Sequence, residues 1–167
     1  MAEDHVLLLG KLTGNLQSLE TSLRLYLLIV EKAKRIDQSP GTLYWNMKKG
    51  DIVAVDAFTN YDQLSGIIEK FNLEVDRCGY GTQIDKAEVV RIRDLLAHGR
   101  VSANASDERQ LKIIKFENPK GSQTVVVSDC AMMNAPWFRE TNDFIRCQLE
   151  CVIAALKNVE AISPKKL

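Results

Sequence analysis

At 167 residues the chain is long enough to bury one hydrophobic core without disulfides or structural metals, which predicts a single domain spanning 1–167. Its 22 basic side chains equal its 22 acidic ones, so a whole-molecule field that gathers nucleic acid is excluded and any such binding needs a local patch. Four cysteines without a Cys-x-x-Cys pair, an N-terminus without a basic signal start, and no strongly apolar run longer than Leu25 to Val30 predict a cytoplasmic protein with no membrane span.

Leu9, Leu12, Leu16, Leu19, Leu23, Tyr26 and Val30 recur at spacings of three and four, the stripe of a long amphipathic helix from about Asp4 to Ile36. Gly10 and Gly14 each cost that helix about 1 kcal/mol relative to Ala, which either close approach of another helix or simple tolerance accounts for. Ser39-Pro40-Gly41 ends it. In the connection that follows, Ile52, Val53, Val55 and Phe58 alternate as extended chain. Thr59 or Asn60 then caps a short second helix through Asn72, with Leu64, Ile67, Ile68 and Phe71 at helical spacing. A third helix runs from Asp85 to His98, turning Val89, Ile92, Leu96 and, at the margin, Leu95 to the core, and Gly99 stops it. Leu111 to Glu117 and Ser122 to Ser128 flank the turn Asn118-Pro119-Lys120-Gly121, a β-hairpin over about 111–128. The last helix starts near Asn134 and Pro136 and continues to about Ile162 on a stripe of Phe138, Ile145, Leu149, Val152, Leu156 and Val159. The predicted fold class is all-α, an up-and-down bundle of four main helices with a β-hairpin inserted before the last.

Most of the remaining motifs are weak. Gly79-Tyr80-Gly81-Thr82 has the glycines of a phosphate loop but lacks the Gly-Lys-Ser/Thr that completes one. Cys147 and Cys151 lie one helical turn apart with no further ligands nearby in sequence, so they read as small core-filling residues, and no metal or cofactor is predicted. Asp56, Asp62, Asp76 and Asp85 are too dispersed for a two-metal site. Met132, Met133, Trp137 and Phe138 read as core, and His5 as a helix residue without a role.

Chemistry is concentrated in Val90-Arg91-Ile92-Arg93-Asp94-Leu95-Leu96-Ala97-His98-Gly99-Arg100, where a guanidinium, a carboxylate and an imidazole fall within six residues near a helix end. Asp94 and His98 are four apart and share a face, whereas Arg93 reaches that place only by its length. The plain alternative is an exposed helix end with solvated charges. Arg93-Asp94, three residues and His98, on the third helix of a helical chain whose first and last helices are long, resembles the Arg-polar-x3-His signature of the HEPN superfamily. That resemblance implies a metal-independent endoribonuclease, acting as a homodimer in which two copies of the motif face each other on RNA and leaving 2′,3′-cyclic phosphate products. It implies Arg93 and His98 as the catalytic pair and Asp94 as their polar support, with Arg91 and Arg100 supplying a substrate-binding field. One variant of the family has a modifiable Tyr where this chain has Arg100, so that regulation is not expected here. A toxin or defence effector silenced by a cognate antitoxin protein is one version of this reading. Its alternative is a catalytically inactive HEPN-like module for dimerisation, nucleotide binding or partner binding.

Overall fold

The structure is a computed structural model that describes residues 2–33, 47–53, 55–79, 81–104, 107–121 and 123–162. Its elements follow in the order α1 (Ala2–Ala33), α2 (Leu64–Cys78), α3 (Lys86–His98), β1 (Arg100–Asn104), β2 (Asp107–Glu117), β3 (Val126–Met132) and α4 (Ala135–Ile162). The three strands form one antiparallel sheet in the order β1-β2-β3, so the expected all-α bundle is corrected to an α+β fold. The hairpin is there, with its strands at Asp107–Glu117 and Val126–Met132 where Leu111–Glu117 and Ser122–Ser128 were expected, and it is two-thirds of a sheet. The missing third is β1, which pairs with β2 from Arg100 opposite Ile114 to Ala103 opposite Leu111. Every residue of β1 is exposed, so no buried alternate positions mark it in the sequence, and backbone bonds to a distant segment hold it in place.

The chain divides into two compact units, Met1–Gln17 with Asp85–Cys147 and Ser18–Ile84 with Gln148–Leu167. In the first, α3 and the sheet share a core with the beginnings of α1 and α4: Leu12, Leu16, Val89, Ile92, Leu95, Ile113, Met133, Phe138 and Ile145 are all buried. Leu95, expected at the margin, is fully buried, and Leu96 is only half-buried. Met133 and Phe138 meet the expectation of core, but Met132 belongs to β3 and is exposed. His5 is not idle, since its ring meets Phe138 edge to face at 6.1 Å. One amide sits in this apolar setting: buried Asn142 donates to the Phe138 carbonyl at 2.9 Å and accepts from Asn15 Nδ2 at 2.9 Å. These bonds satisfy a polar group that would be costly to bury alone.

The second unit buries Leu19, Leu23, Tyr26, Leu28, Ile29 and Val30 of α1 with Leu64, Ile67, Ile68, Phe71 and Val75 of α2. Tyr26 and Phe71 pack edge to face at 4.9 Å. Thr59 and Asn60 do not cap α2. Asp56 takes up the Phe58 and Thr59 amides in a turn of its own, and Asn60 Oδ1 accepts from the Asp62 amide and from Arg24. The helix consequently starts later, after Gln63, and ends at Gly79, whose φ of 66° is the left-handed conformation a glycine adopts freely. Arg24 of α1, which the apolar stripe did not single out, pins this turn through the carbonyls of Asn60 at 3.1 Å and Asp62 at 2.9 Å. Ile52, Val53 and Val55 are exposed and belong to no strand. Ser39-Pro40-Gly41 lies outside the described residues. Among the described residues no helix is long and apolar enough to cross a membrane.

Candidate active site

The Arg93-Asp94-His98 segment owes its position to the two ends of α3. At the start, Asp85, expected as the first helical residue, instead caps the helix: its Oδ1 accepts from the Glu88 amide at 3.0 Å. Val89, Ile92 and Leu95, three apart, are buried, which fixes the rotation of the helix and leaves Arg91, Arg93, Asp94 and His98 on surfaces that water reaches. At the other end the Gly99 amide donates to the Leu95 carbonyl at 2.8 Å. Gly99 has φ −70° and ψ 150°, an ordinary extended conformation, so torsion does not demand glycine here. Space does: a Cβ would collide with the Leu95 carbonyl oxygen and lie 2.5 Å from Ile113 Cγ1. The helix therefore runs against β2 and turns straight into β1, with exposed His98 on one side of Gly99 and exposed Arg100 on the other.

Asp94 stands between two cations. Arg93 Nη1 is 3.1 Å from Asp94 Oδ1, and Lys115 Nζ of β2 is 3.6 Å from Asp94 Oδ2. The three side chains keep 34%, 27% and 22% of their surface in the order Arg93, Asp94, Lys115, enough for an anion to reach them. Lys115 escaped the sequence reading. Strand alternation puts it on the face of buried Ile113, but only the register of β2 against α3 sets it beside Asp94. Sequence spacing paired Asp94 with His98. Among the described residues Asp94 contacts Arg93 and Lys115, and no hydrogen bond or ion pair joins it to His98.

The two flanking arginines differ. Arg91 is enclosed by carboxylates, with Nε and Nη2 on Glu88, both at 2.7 Å, and Nη1 on Asp129 of β3 at 2.8 Å. The bonds to Glu88 foremost, then those to Asp129, hold its proton more firmly than an ordinary arginine's. Arg100 instead lies over the Phe116 ring at 5.6 Å from its centroid. A guanidinium offers five donors and its ion pair with Asp94 engages one nitrogen, so Arg93 retains donors for a phosphate oxygen. An imidazole can take or give a proton, and Lys115 adds positive charge where a phosphoryl group would gather negative charge.

Other residues singled out by sequence fall elsewhere. Gly79 caps α2, and a Cβ on Gly81 would come within 3.1 Å of the Ala155 Cβ, so both glycines have conformational or packing reasons. None of the four cysteines is in a disulfide; Cys147 is exposed and thus not the core filler expected, and Cys151 is half-buried. The chain matches no protein-family model, no curated protein and no solved structure.

Proposed function

We propose that the chain is a metal-independent endoribonuclease of HEPN type that works as a symmetric dimer. The observation that supports this most is the accessible Arg93-Asp94-Lys115 cluster beside the helix end that carries His98. Cleavage of RNA without metal needs a base for the 2′-hydroxyl, an acid for the 5′-oxygen and positive charge around phosphorus. One protomer has one imidazole in this segment, so two copies of His98 divide the acid and base roles across the two-fold axis. One His98 removes the 2′-hydroxyl proton, the 2′-oxygen bonds to phosphorus, the bond from phosphorus to the 5′-oxygen breaks, and the other His98, protonated, delivers its proton to that oxygen. The products are a 2′,3′-cyclic phosphate and a 5′-hydroxyl. Arg93 holds the scissile phosphate, Asp94 orients Arg93, and Arg100 contributes the substrate-binding field, to which Arg91, already bonded to Glu88 and Asp129, adds less. Four cysteines without a disulfide suit a cytoplasmic setting.

Incubating the protein with a synthetic RNA and identifying the cyclic phosphate by mass spectrometry tests the reaction. His98→Ala and Arg93→Ala should each cut the rate by about 10² to 10⁴, the usual worth of a positioned acid or base, with the fold and dimer preserved. Activity that survives both changes, or that disappears with EDTA, refutes the mechanism. The second reading, a non-catalytic binding module, is favoured by the exposed apolar groups Phe116, Val127 and Met132 on the sheet. It predicts binding of RNA or protein with no cyclic phosphate. Growth arrest on expression, relieved by one co-expressed protein, would select the toxin version.

A further inference from the structure

Strand pairing sorts the residues of the sheet into two faces of opposite chemistry. Ile113, Lys115 and Asp129 share the inner face: Ile113 is buried, Lys115 reaches Asp94 and Asp129 reaches Arg91 on α3. The alternate positions form the outer face, where Arg100 lies opposite Ile114, Ser102 opposite Lys112, Lys112 opposite Met132 and Phe116 opposite Val127. Phe116 is 38% exposed, Met132 41% and Val127 52%. Charge is segregated in the same way. Among the described side chains the cations of this face are Arg100 and Lys112, both exposed, and the acids Asp129 and Glu117 go with inner-face Lys115. In a chain of zero net charge such a patch is a local choice.

An aromatic ring flanked by cations on an open sheet fits one kind of partner. Unpaired nucleotides present π faces to stack and phosphates to neutralise, whereas the bases of a duplex are stacked on one another and closed to the ring. A second copy of this chain is a poorer fit, because among the described side chains two such faces together would set Arg100 and Lys112 against like charges. We propose that the outer face of the sheet binds single-stranded RNA, with a base stacked on Phe116 and the adjoining phosphates on Arg100 and Lys112. The base takes the ring face that Arg100 now covers, since stacking outweighs an exposed cation–π contact, and the freed guanidinium moves to a phosphate. This rests on the RNA reading above and deepens it: Arg100 follows Gly99 directly after His98, so a strand lying on the sheet leads to the proposed catalytic segment.

Fluorescence anisotropy of a labelled ten-nucleotide single-stranded RNA with the full chain carrying His98→Ala tests the face apart from cleavage. Adding Phe116→Ala should weaken binding about 10-fold and Phe116→Trp should restore it, because any aromatic ring stacks a base. Lys112→Gln should lower the slope of log affinity against log salt by about 0.7, one phosphate contact on a single strand. The same sequence as a duplex should bind weakly and without dependence on Phe116. Equal single-strand binding by the Phe116→Ala and parent proteins overturns the proposal, as does conversion of a dimer to monomer by Phe116→Ala, which would make this face a contact between copies. Cleavage by the protein with His98 intact is scored separately. Phe116-dependent binding without cyclic phosphate keeps the platform and removes the nuclease; cleavage with Phe116-independent binding does the reverse.

Discussion

Two arginines close in sequence make opposite predictions because their partners differ. Arg91 has its three guanidinium nitrogens on Glu88 and Asp129, so reaching for RNA would mean giving up charge-assisted bonds it already makes. Among the described residues Arg100 has a ring beneath it and no carboxylate bonded to it. In the proposed nuclease Arg100→Ala should therefore raise KM more than Arg91→Ala, and steady-state kinetics on one RNA would rank them. Arg91→Ala should instead lower stability by no more than about 1 kcal/mol, the range of exposed ion pairs, as measured by urea unfolding. Asp94→Asn keeps the shape and removes the charge between Arg93 and Lys115. It should lower kcat by about 10²-fold with little change in stability, since a misplaced guanidinium loses the aligned geometry that the transition state requires. Arg93, Asp94 and His98 were legible as a cluster because they are local on one helix. Lys115 was not, because its place beside Asp94 depends on how a strand 21 residues further along docks on that helix.

Glycines separate what a helix tolerates from what a junction requires. A Cβ at Gly10 or Gly14 of α1 would meet no heavy atom of the described residues within 4 Å, so among them there is no close approach for these glycines to serve. Gly10→Ala and Gly14→Ala should each stabilise the protein by about 0.4 to 1 kcal/mol by restricting the unfolded chain, a gain that thermal melting would register. Gly99→Ala should go the other way, costing about 1 to 3 kcal/mol as the end of α3 is pushed off Ile113. Because His98 and Arg100 adjoin Gly99, that variant should also lose RNA cleavage more steeply than its melting temperature alone implies. The helices were readable because stripes of period 3.6 are written into contiguous residues. Their ends were less so: the Asp56 turn took the groups expected to cap α2 and delayed its start. Strand β1 was not readable at all, since five exposed residues held by backbone pairing leave no hydrophobic signature.

Zero net charge sets the terms for the whole molecule: without a broad attractive field, affinity and catalysis have to come from pooled local groups. For the proposed nuclease the pooling is between subunits, because this segment supplies a single imidazole to a reaction that uses two proton-transfer groups. Subunit mixing reads that directly. If each dimer needs both copies of His98, parent chain mixed with an equal amount of His98→Ala chain and allowed to re-equilibrate yields about one quarter fully competent dimers. Activity per total dimer should then fall to about one quarter of that of the unmixed parent, whereas independent protomers would retain about one half. The contrast does not depend on which RNA is cut, because both mixtures see the same substrate. A value of one half with mixing verified by native mass spectrometry would show that each protomer acts through its own His98, and the second proton would then have to be carried by another group or by water.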